Sequence, residues 1–205
     1  MLIYIVRHGE TQANAKGYLQ GWSEDPLNEN GIKLAVLTGQ NMRNIRFDYC
    51  ISSPLIRAKE TAEIILKESN NAIKVETDNR LKEINFGDYE LRKTKSLGLE
   101  KFFSDPFNCP QFPNGENVQM LIKRTQSFLN ELIAINDDKC YLVVTHGCAL
   151  RAMLNMFYDN KTDFWHGNVP FNCCVNIIEV KNGEGKIKEE DKVFYPQEMV
   201  FDWYK

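Results

Sequence analysis

Two apolar runs, Leu2-Ile3-Tyr4-Ile5-Val6 and Tyr141-Leu142-Val143-Val144, stand out against an otherwise mixed chain. Neither alternates with polar positions, and β-branched and aromatic residues dominate, which predicts strands buried on both faces. Residues 175–180 form a later strand, and Asn182-Gly183-Glu184-Gly185 is a turn signal that folds it into a hairpin with the residues after Lys186. Residues 47–52 and the short stretch 73–75 complete the predicted strands. Helical periodicity fills the intervals. Leu34, Leu37, Thr38, Asn41, Met42 and Ile45 share one face, with Asn28 as N-cap. Ser53-Pro54 reads as a second start, with serine capping, proline at the first helical position, and Ala58, Ala62, Ile65 and Leu66 as its stripe. Residues 117–136 repeat apolar positions at helical spacing, and a last helix follows His146. Residues 11–22 and 80–87 read as loops. This alternation predicts a three-layer α/β/α sandwich with a mostly parallel central sheet.

Residues 89–115 fit no single element. Phe102, Phe103, Phe107 and Phe112 lie among Pro106, Pro110 and Pro113, and proline forbids one long helix there. The stretch predicts a partly helical excursion over the sheet edge, either a subdomain with its own apolar cluster or a lid-like wall. The aromatic tail from Pro196 onward has no assignable pattern.

Composition narrows the class. The 205 residues, 43% hydrophobic and 26% charged, read as one domain over 1–205. A net charge of -3 gives no basic field for nucleic acid or an anionic membrane. Any anion must therefore be held by a few local cations. No apolar run approaches the roughly 18–20 residues that span a bilayer, and no basic leader precedes the first strand, so the cytoplasm is the expected location. The six cysteines, Cys50, Cys109, Cys140, Cys148, Cys173 and Cys174, form no Cys-x-x-Cys pair and no metal-ligand spacing with the three histidines. Buried free thiols are expected.

The chemistry gathers where the two apolar runs end. Val6 leads into Arg7-His8-Gly9 and Val144 into Thr145-His146-Gly147. Neighbouring parallel strands place their carboxyl ends together, which sets His8 and His146 across one crevice. Arg57 falls in the first turn of its helix, where a cation is mildly unfavourable. Local helix energetics do not explain it.

These residues belong to a longer series: Arg7-His8-Gly9-Glu10-Thr11 with Asn14, Gln20-Gly21-Trp22, Pro26-Leu27, Ser52-Ser53-Pro54-Leu55, Arg57-Ala58 with Thr61-Ala62, Leu81-Lys82-Glu83 with Phe86-Gly87, Gly115-Glu116, and Val143-Val144-Thr145-His146-Gly147 with Arg151. In this order and spacing the chain resembles the histidine phosphatase superfamily, which includes cofactor-dependent phosphoglycerate mutases. The resemblance implies a phosphoglycerate mutase-like fold and attack on phosphorus by a neutral His8, forming a phosphohistidine. Arg7 and Arg57 would hold phosphate oxygens bidentately, without a metal or other cofactor. His146 would donate to the same oxygens, and Gly147 would open a helix whose free amides favour an anion. Glu83, otherwise an ordinary loop acid, would act as general acid and base. Thr11, Asn14, Gln20 and Gly21 would bind phosphate or line the pocket. His166 has no matching role.

Two departures concern pocket shape. Tyr89-Glu90 continues with Leu91 where the family's phosphatases carry glycine, and His146-Gly147 continues with Cys148 where glycine is usual. Only residues 84–145 separate Glu83 from His146, shorter than the mutase branch carries, which favours hydrolysis of a small phosphorylated metabolite over mutase chemistry. A catalytically silent binding module is a third reading, and the full set of two histidines, two arginines and one acid argues against it. Arg92, Lys93, Lys95 and Lys101 either bind a second acidic group or form a solvated face. Trp22, Phe103 and Phe107 line a pocket or form core. Oligomeric state is not legible.

Overall fold

The first apolar run becomes strand β1, Leu2–Arg7, and it lies inside a six-stranded sheet rather than at its edge. The computed structural model describes residues 1–199; residues 200–205, the end of the aromatic tail, lie outside the described residues. The other strands are β2 (Tyr49–Ser52), β3 (Val75–Thr77), β4 (Cys140–Thr145), β5 (Val175–Lys181) and β6 (Glu184–Lys192), in the order β3-β2-β4-β1-β5-β6. The first four in that order are parallel. β5 runs antiparallel to β1 and folds back on β6 through Asn182-Gly183. Both turn residues have positive φ, 54° and 75°, as a two-residue hairpin requires. The sheet is therefore mixed, with its parallel part carrying the catalytic motifs.

Alternation along the strands sorts the core onto two faces. Ile3, Ile5 and Val143 pack on one side against Phe128, Leu129, Leu150 and Met153. These belong to helices over residues 118–135 and 147–154. Val6, Leu142 and Val144 pack on the other side against Met42, Ala58, Ala62 and Ile65. The helices are α1 (Gln12–Ala15), α2 (Glu29–Asn41), α3 (Ile56–Glu68), α4 (Glu100–Ser104), α5 (Val118–Ile135) and α6 (Gly147–Leu154). Asn28 and Asn117 cap α2 and α5 by accepting the N–H of Gly31 and Met120. Among the described residues no helix is long and apolar enough to cross a membrane. All six cysteines are free thiols, four of them buried and Cys109 and Cys140 partly so.

Three local expectations change. Residues 12–15 form a helix turn inside the predicted loop, because Thr11 and Asn14 make a reciprocal capping box. α3 starts at Ile56 with Leu55 as N-cap, not at Pro54, because Leu55 takes an extended backbone with φ -65° and ψ 136°; the Ser53 hydroxyl accepts the Leu55 N–H at 3.4 Å and also meets a partner described below. The third strand lies at Val75–Thr77, two residues later than its apolar pattern suggested. The excursion at 89–115 folds as 3-10 turns around α4. It is fastened to the body by an aromatic cluster in which Phe86, Phe102 and Phe112 meet edge to face at 5.0–5.8 Å.

One polar contact fixes the segment leading out of β3. Arg124 on α5 forks onto Glu116, with Nε to Oε1 at 2.8 Å and Nη2 to Oε2 at 2.7 Å. The same guanidinium donates to the carbonyls of Arg80, Lys82 and Glu83 at 2.9, 2.6 and 2.7 Å. Glu116 also accepts the Asn85 N–H at 2.9 Å. Arg124→Met leaves Glu116 and three carbonyls unpaired in a largely buried site. The expected loss is about 3 kcal/mol, measured by urea unfolding of the variant against the wild type.

Candidate active site

Register builds the site. Arg7 of β1 stands level with Thr145 of β4, and Ser52 of β2 level with Val144. The residues that follow these strands therefore emerge together at one sheet edge. His8 and His146 face each other with ring centroids 5.0 Å apart. Arg57 enters from the first turn of α3, and Glu83 follows the 3-10 turn Asn79–Leu81 beyond β3.

The His8 ring is held in one tautomer. Its Nδ1 lies 2.6 Å from the Gly9 carbonyl, which can only accept. Nδ1 therefore carries the proton and Nε2 keeps its lone pair. That lone pair accepts the Arg57 Nε–H at 3.3 Å. Burial, then the charges of Arg57 and Arg7, hold the His8 pKa well below its ordinary value, against the opposing Gly9 bond. Burial thus outweighs the neighbouring guanidinium groups that the sequence made prominent.

Arg57 is fully buried. Its Nη1 and Nη2 donate to the carbonyls of Ser23 and Gly21 at 2.8 and 2.6 Å, leaving the Nε edge for His8. Glu90 fastens the same loop by accepting the N–H groups of Trp22 and Ser23, each at 2.7 Å. Only glycine fits at 21, since a Cβ there would stand 2.5 Å from both Glu90 Oε1 and the Ile84 carbonyl. Burial lowers the Arg57 pKa to about 10, which leaves it a cation at neutral pH. Arg7 donates through Nη1 to the Pro170 carbonyl, while its Nε is buried with no partner. His146 lies 2.8 Å from Ser53 Oγ through Nε2. In the tautomer where Ser53 donates, the proton sits on Nδ1, which is also buried with no partner. Burial and Arg57 hold the His146 pKa well below its ordinary value.

Glu83 is buried, and its carboxylate accepts the N–H of Ile84 at 2.9 Å and of Cys148 and Ala149 at 3.0 Å. The anion at the start of α6 is therefore this side chain, where the sequence suggested a site for phosphate. Burial raises the Glu83 pKa against the pull of those amides and of Arg57 and Arg7. Cys148, the departure from the family pattern, lines the cleft beside it, and burial with the nearby Glu83 charge keeps its thiol protonated.

These groups open into a cleft of about 690 Å³. Arg7, His8, Asn14, Gln20, Glu83 and Gly147 line it. Arg57 and His146 stand behind its floor. Thr11 does not line it: its hydroxyl donates to Gln20 Oε1 at 2.9 Å and caps α1. Gly21 also lies off the cleft and serves Arg57. Lys93, Lys95 and Phe103 line the cleft, whereas Arg92, Lys101, Trp22 and Phe107 do not. His166 lies off it as well, stacked on Tyr158. Leu91 takes a left-handed backbone with φ 57°, the conformation glycine adopts without steric cost. Among the described residues no group of three or more His, Cys, Asp or Glu side chains is arranged to hold a metal ion.

Sequence reasoning did not find Ser53, Glu90 or Arg124 as supports. Arg124 gave a faint signal, a charge bordering the buried stripe of α5. Ser53 looked like a helix cap and Glu90 like a variable loop acid.

A profile of the histidine phosphatase superfamily (branch 1) matches residues 3–191. The chain is 34% identical over 158 residues to a protein of Erwinia tasmaniensis named "Probable phosphoglycerate mutase GpmB", covering 75% of this chain and 73% of that one. Among solved structures, Bacillus stearothermophilus YhfR superposes with a TM-score of 0.84 at 29% identity, covering 94% of this chain and 97% of that one. The alpha-ribazole phosphatase of Shigella flexneri gives 0.81 at 26% identity, covering 94% and 96%. The chain belongs to the histidine phosphatase superfamily, with the phosphoglycerate mutase-like α/β fold of its structural neighbours.

Proposed function

We propose that this chain is a metal-independent phosphatase that hydrolyses a small phosphorylated metabolite through a phosphohistidine at His8. One observation carries the reading. The lone pair of His8 Nε2, which accepts only the Arg57 Nε–H at 3.3 Å among the described residues, lies in one buried cluster with two donors that have no partner among those residues: Arg7 Nε and, in the tautomer where Ser53 donates to His146, His146 Nδ1. Each buried donor left unmade costs about 1–3 kcal/mol, and a phosphoryl group supplies the missing acceptors.

The steps follow from the geometry. Phosphate oxygens take the Arg7 and His146 donors, and Arg57 Nε turns from His8 to the incoming anion. His8 Nε2 attacks phosphorus, and the bond to the leaving oxygen breaks. Glu83, whose protonated form is favoured by burial, gives that oxygen its proton. The resulting carboxylate then takes a proton from water. The water oxygen attacks phosphorus, the P–N bond breaks, and the lone pair returns to His8. Arg7 and Arg57 offset the charge on the transferring group throughout.

A second reading, phosphoglycerate mutase, is favoured by the 34% identity to a relative carrying that name. It uses the same residues but returns the phosphoryl group to a hydroxyl. The short stretch between Glu83 and His146 favours hydrolysis.

Purified protein in EDTA is expected to release phosphate from a generic aryl phosphate; no turnover of any phosphomonoester would sink the proposal. Conversion of 3-phosphoglycerate to its 2-isomer, stimulated by the bisphosphate and with little phosphate released, would establish the mutase instead. His8→Ala should lower kcat about 10³-fold or more, and rapid-quench labelling should find no phosphoenzyme in it. Glu83→Gln should lower kcat on alkyl phosphates by about 10²–10⁴, and much less on 4-nitrophenyl phosphate, whose leaving group needs no proton. The pH profile of kcat/KM on alkyl esters should be bell-shaped. Its acid limb reports protonation of His8, displaced below the ordinary histidine range, and its alkaline limb reports ionisation of Glu83, displaced above the ordinary carboxyl range. An alkaline limb that persists in Glu83→Gln would remove Glu83 as the acid.

A further inference from the structure

We infer that the alcohol part of the substrate is a flat apolar body, an aromatic or heteroaromatic ring, that ends in a second anionic group. The inference rests on the phosphatase reading above and deepens it.

The cleft is larger than its catalytic floor requires. Its volume of about 690 Å³ matches pockets that hold drug-sized ligands, and a three-carbon phosphoacid would leave most of it filled with water. Beyond the floor the cleft is backed by the buried Leu19, Phe86, Leu99 and Phe102, and its accessible apolar surface comes from the half-buried Phe103 and Trp165. Polar metabolites gain nothing from such walls, whereas a ring that displaces water from them does. The rings are ordered: Phe103 stacks on Trp165 at 5.8 Å and 29°, and Phe102 meets Trp165 edge-on at 5.9 Å. A flat ligand ring continues such an array by offset stacking. The Trp165 Nε1–H is buried with no partner, so an acceptor atom on the ligand body has a donor waiting.

The rim has the opposite character. Lys16, Lys93 and Lys95 line the cleft as exposed side chains, and none makes an ion pair among the described residues. Glu100 is the one acid that shares the rim with them. On a chain of net charge -3, this is a local concentration of positive charge. The lysines are carried on a built platform. Leu19 N–H donates to the Arg92 carbonyl at 2.9 Å, Leu91 N–H to the Leu19 carbonyl at 2.8 Å, and Thr94 N–H to the Gly17 carbonyl at 3.0 Å. Residues 17–19 and 91–94 are thereby stitched together, so that all three lysines line the same cleft. An anionic group at the far end of the substrate meets them there.

The test compares kcat/KM, in EDTA and at low salt, for phenyl phosphate, 4-carboxyphenyl phosphate, the two corresponding biphenyl phosphates and 3-phosphoglycerate. At one or both ring lengths the carboxylated ester is expected to exceed its uncharged parent by about tenfold, with the gap closing at high salt. 3-Phosphoglycerate, with two charges and no ring, should be the poorest substrate. The combined variant Lys16→Ala, Lys93→Ala, Lys95→Ala should bring the ratio of charged to uncharged ester close to one. Trp165→Ala should raise KM for all the aryl esters. If the aryl esters turn over without a carboxylate advantage at either length, if the lysine variant keeps the ratio, or if 3-phosphoglycerate is the best substrate, the inference falls and the phosphatase reading stands. If none of the esters turns over, both fall.

Discussion

Where β1 pairs with β4, Arg7 stands level with Thr145, and that register brings the next residue of each strand, His8 and His146, to 5.0 Å between ring centroids. A slip of one residue would turn the apolar set of β1 to the wrong faces of the sheet, so core packing and active-site assembly are the same constraint. Ile3 and Ile5 must meet α5 and α6 while Val6 meets α3 and Met42. With those faces satisfied, the chain places its first histidine at the carboxyl edge, opposite the second. The adjoining strands β2 and β3 deliver Arg57 and Glu83 to the same edge.

Water exclusion gives these groups their chemical character. Burial favours neutral imidazoles and raises the Glu83 pKa, the states that the proposed mechanism asks of a nucleophile, a hydrogen-bond donor and an acid. Arg57 remains charged because the nearby Glu83, Glu24 and Glu90 carboxylates oppose its burial, while backbone carbonyls of the 21–23 loop accept its hydrogen bonds and Glu90 holds that loop. Not every polar group is satisfied. Arg7 Nε and His146 Nδ1 stay unpartnered in the folded chain, a local instability that the bound anion relieves.

The segment at 89–115 shows how one structure serves two ends. Its phenylalanines anchor it to the body, so it is a wall rather than a hanging flap. Two of these rings, Phe102 and Phe103, line the cleft, as do Lys93 and Lys95 just ahead of them. Cys148 and Leu91, where the chain departs from its family, sit beside this region: one thiol on the cleft wall and one leucine in a backbone that glycine usually takes.

The amino-acid sequence by itself determined the layered α/β architecture, because apolar runs and helical stripes impose their periods locally. It also marked His8, Arg57 and His146, since two histidines at strand ends and an arginine unfavourable to its own helix have no simpler local account; Glu83 was singled out only by the family resemblance. It could not decide where α3 begins, because that depends on the extended backbone of Leu55 and on a Ser53 hydroxyl shared between the Leu55 N–H and His146, a residue 93 positions away in the chain. For the same reason Thr11 read as a phosphate ligand and proved to be a cap, and the α6 amides read as an anion site and proved to be taken by Glu83. Glu90 was silent in the sequence and Arg124 nearly so, because most of their partners are backbone groups of distant loops, which carry no side-chain identity. The cleft's aromatic wall and lysine mouth likewise exist only once residues 16–19, 91–103 and 165 are folded onto one another. Local patterns fix which groups are present; long-range hydrogen bonds and burial decide which of them meet and in what charge state.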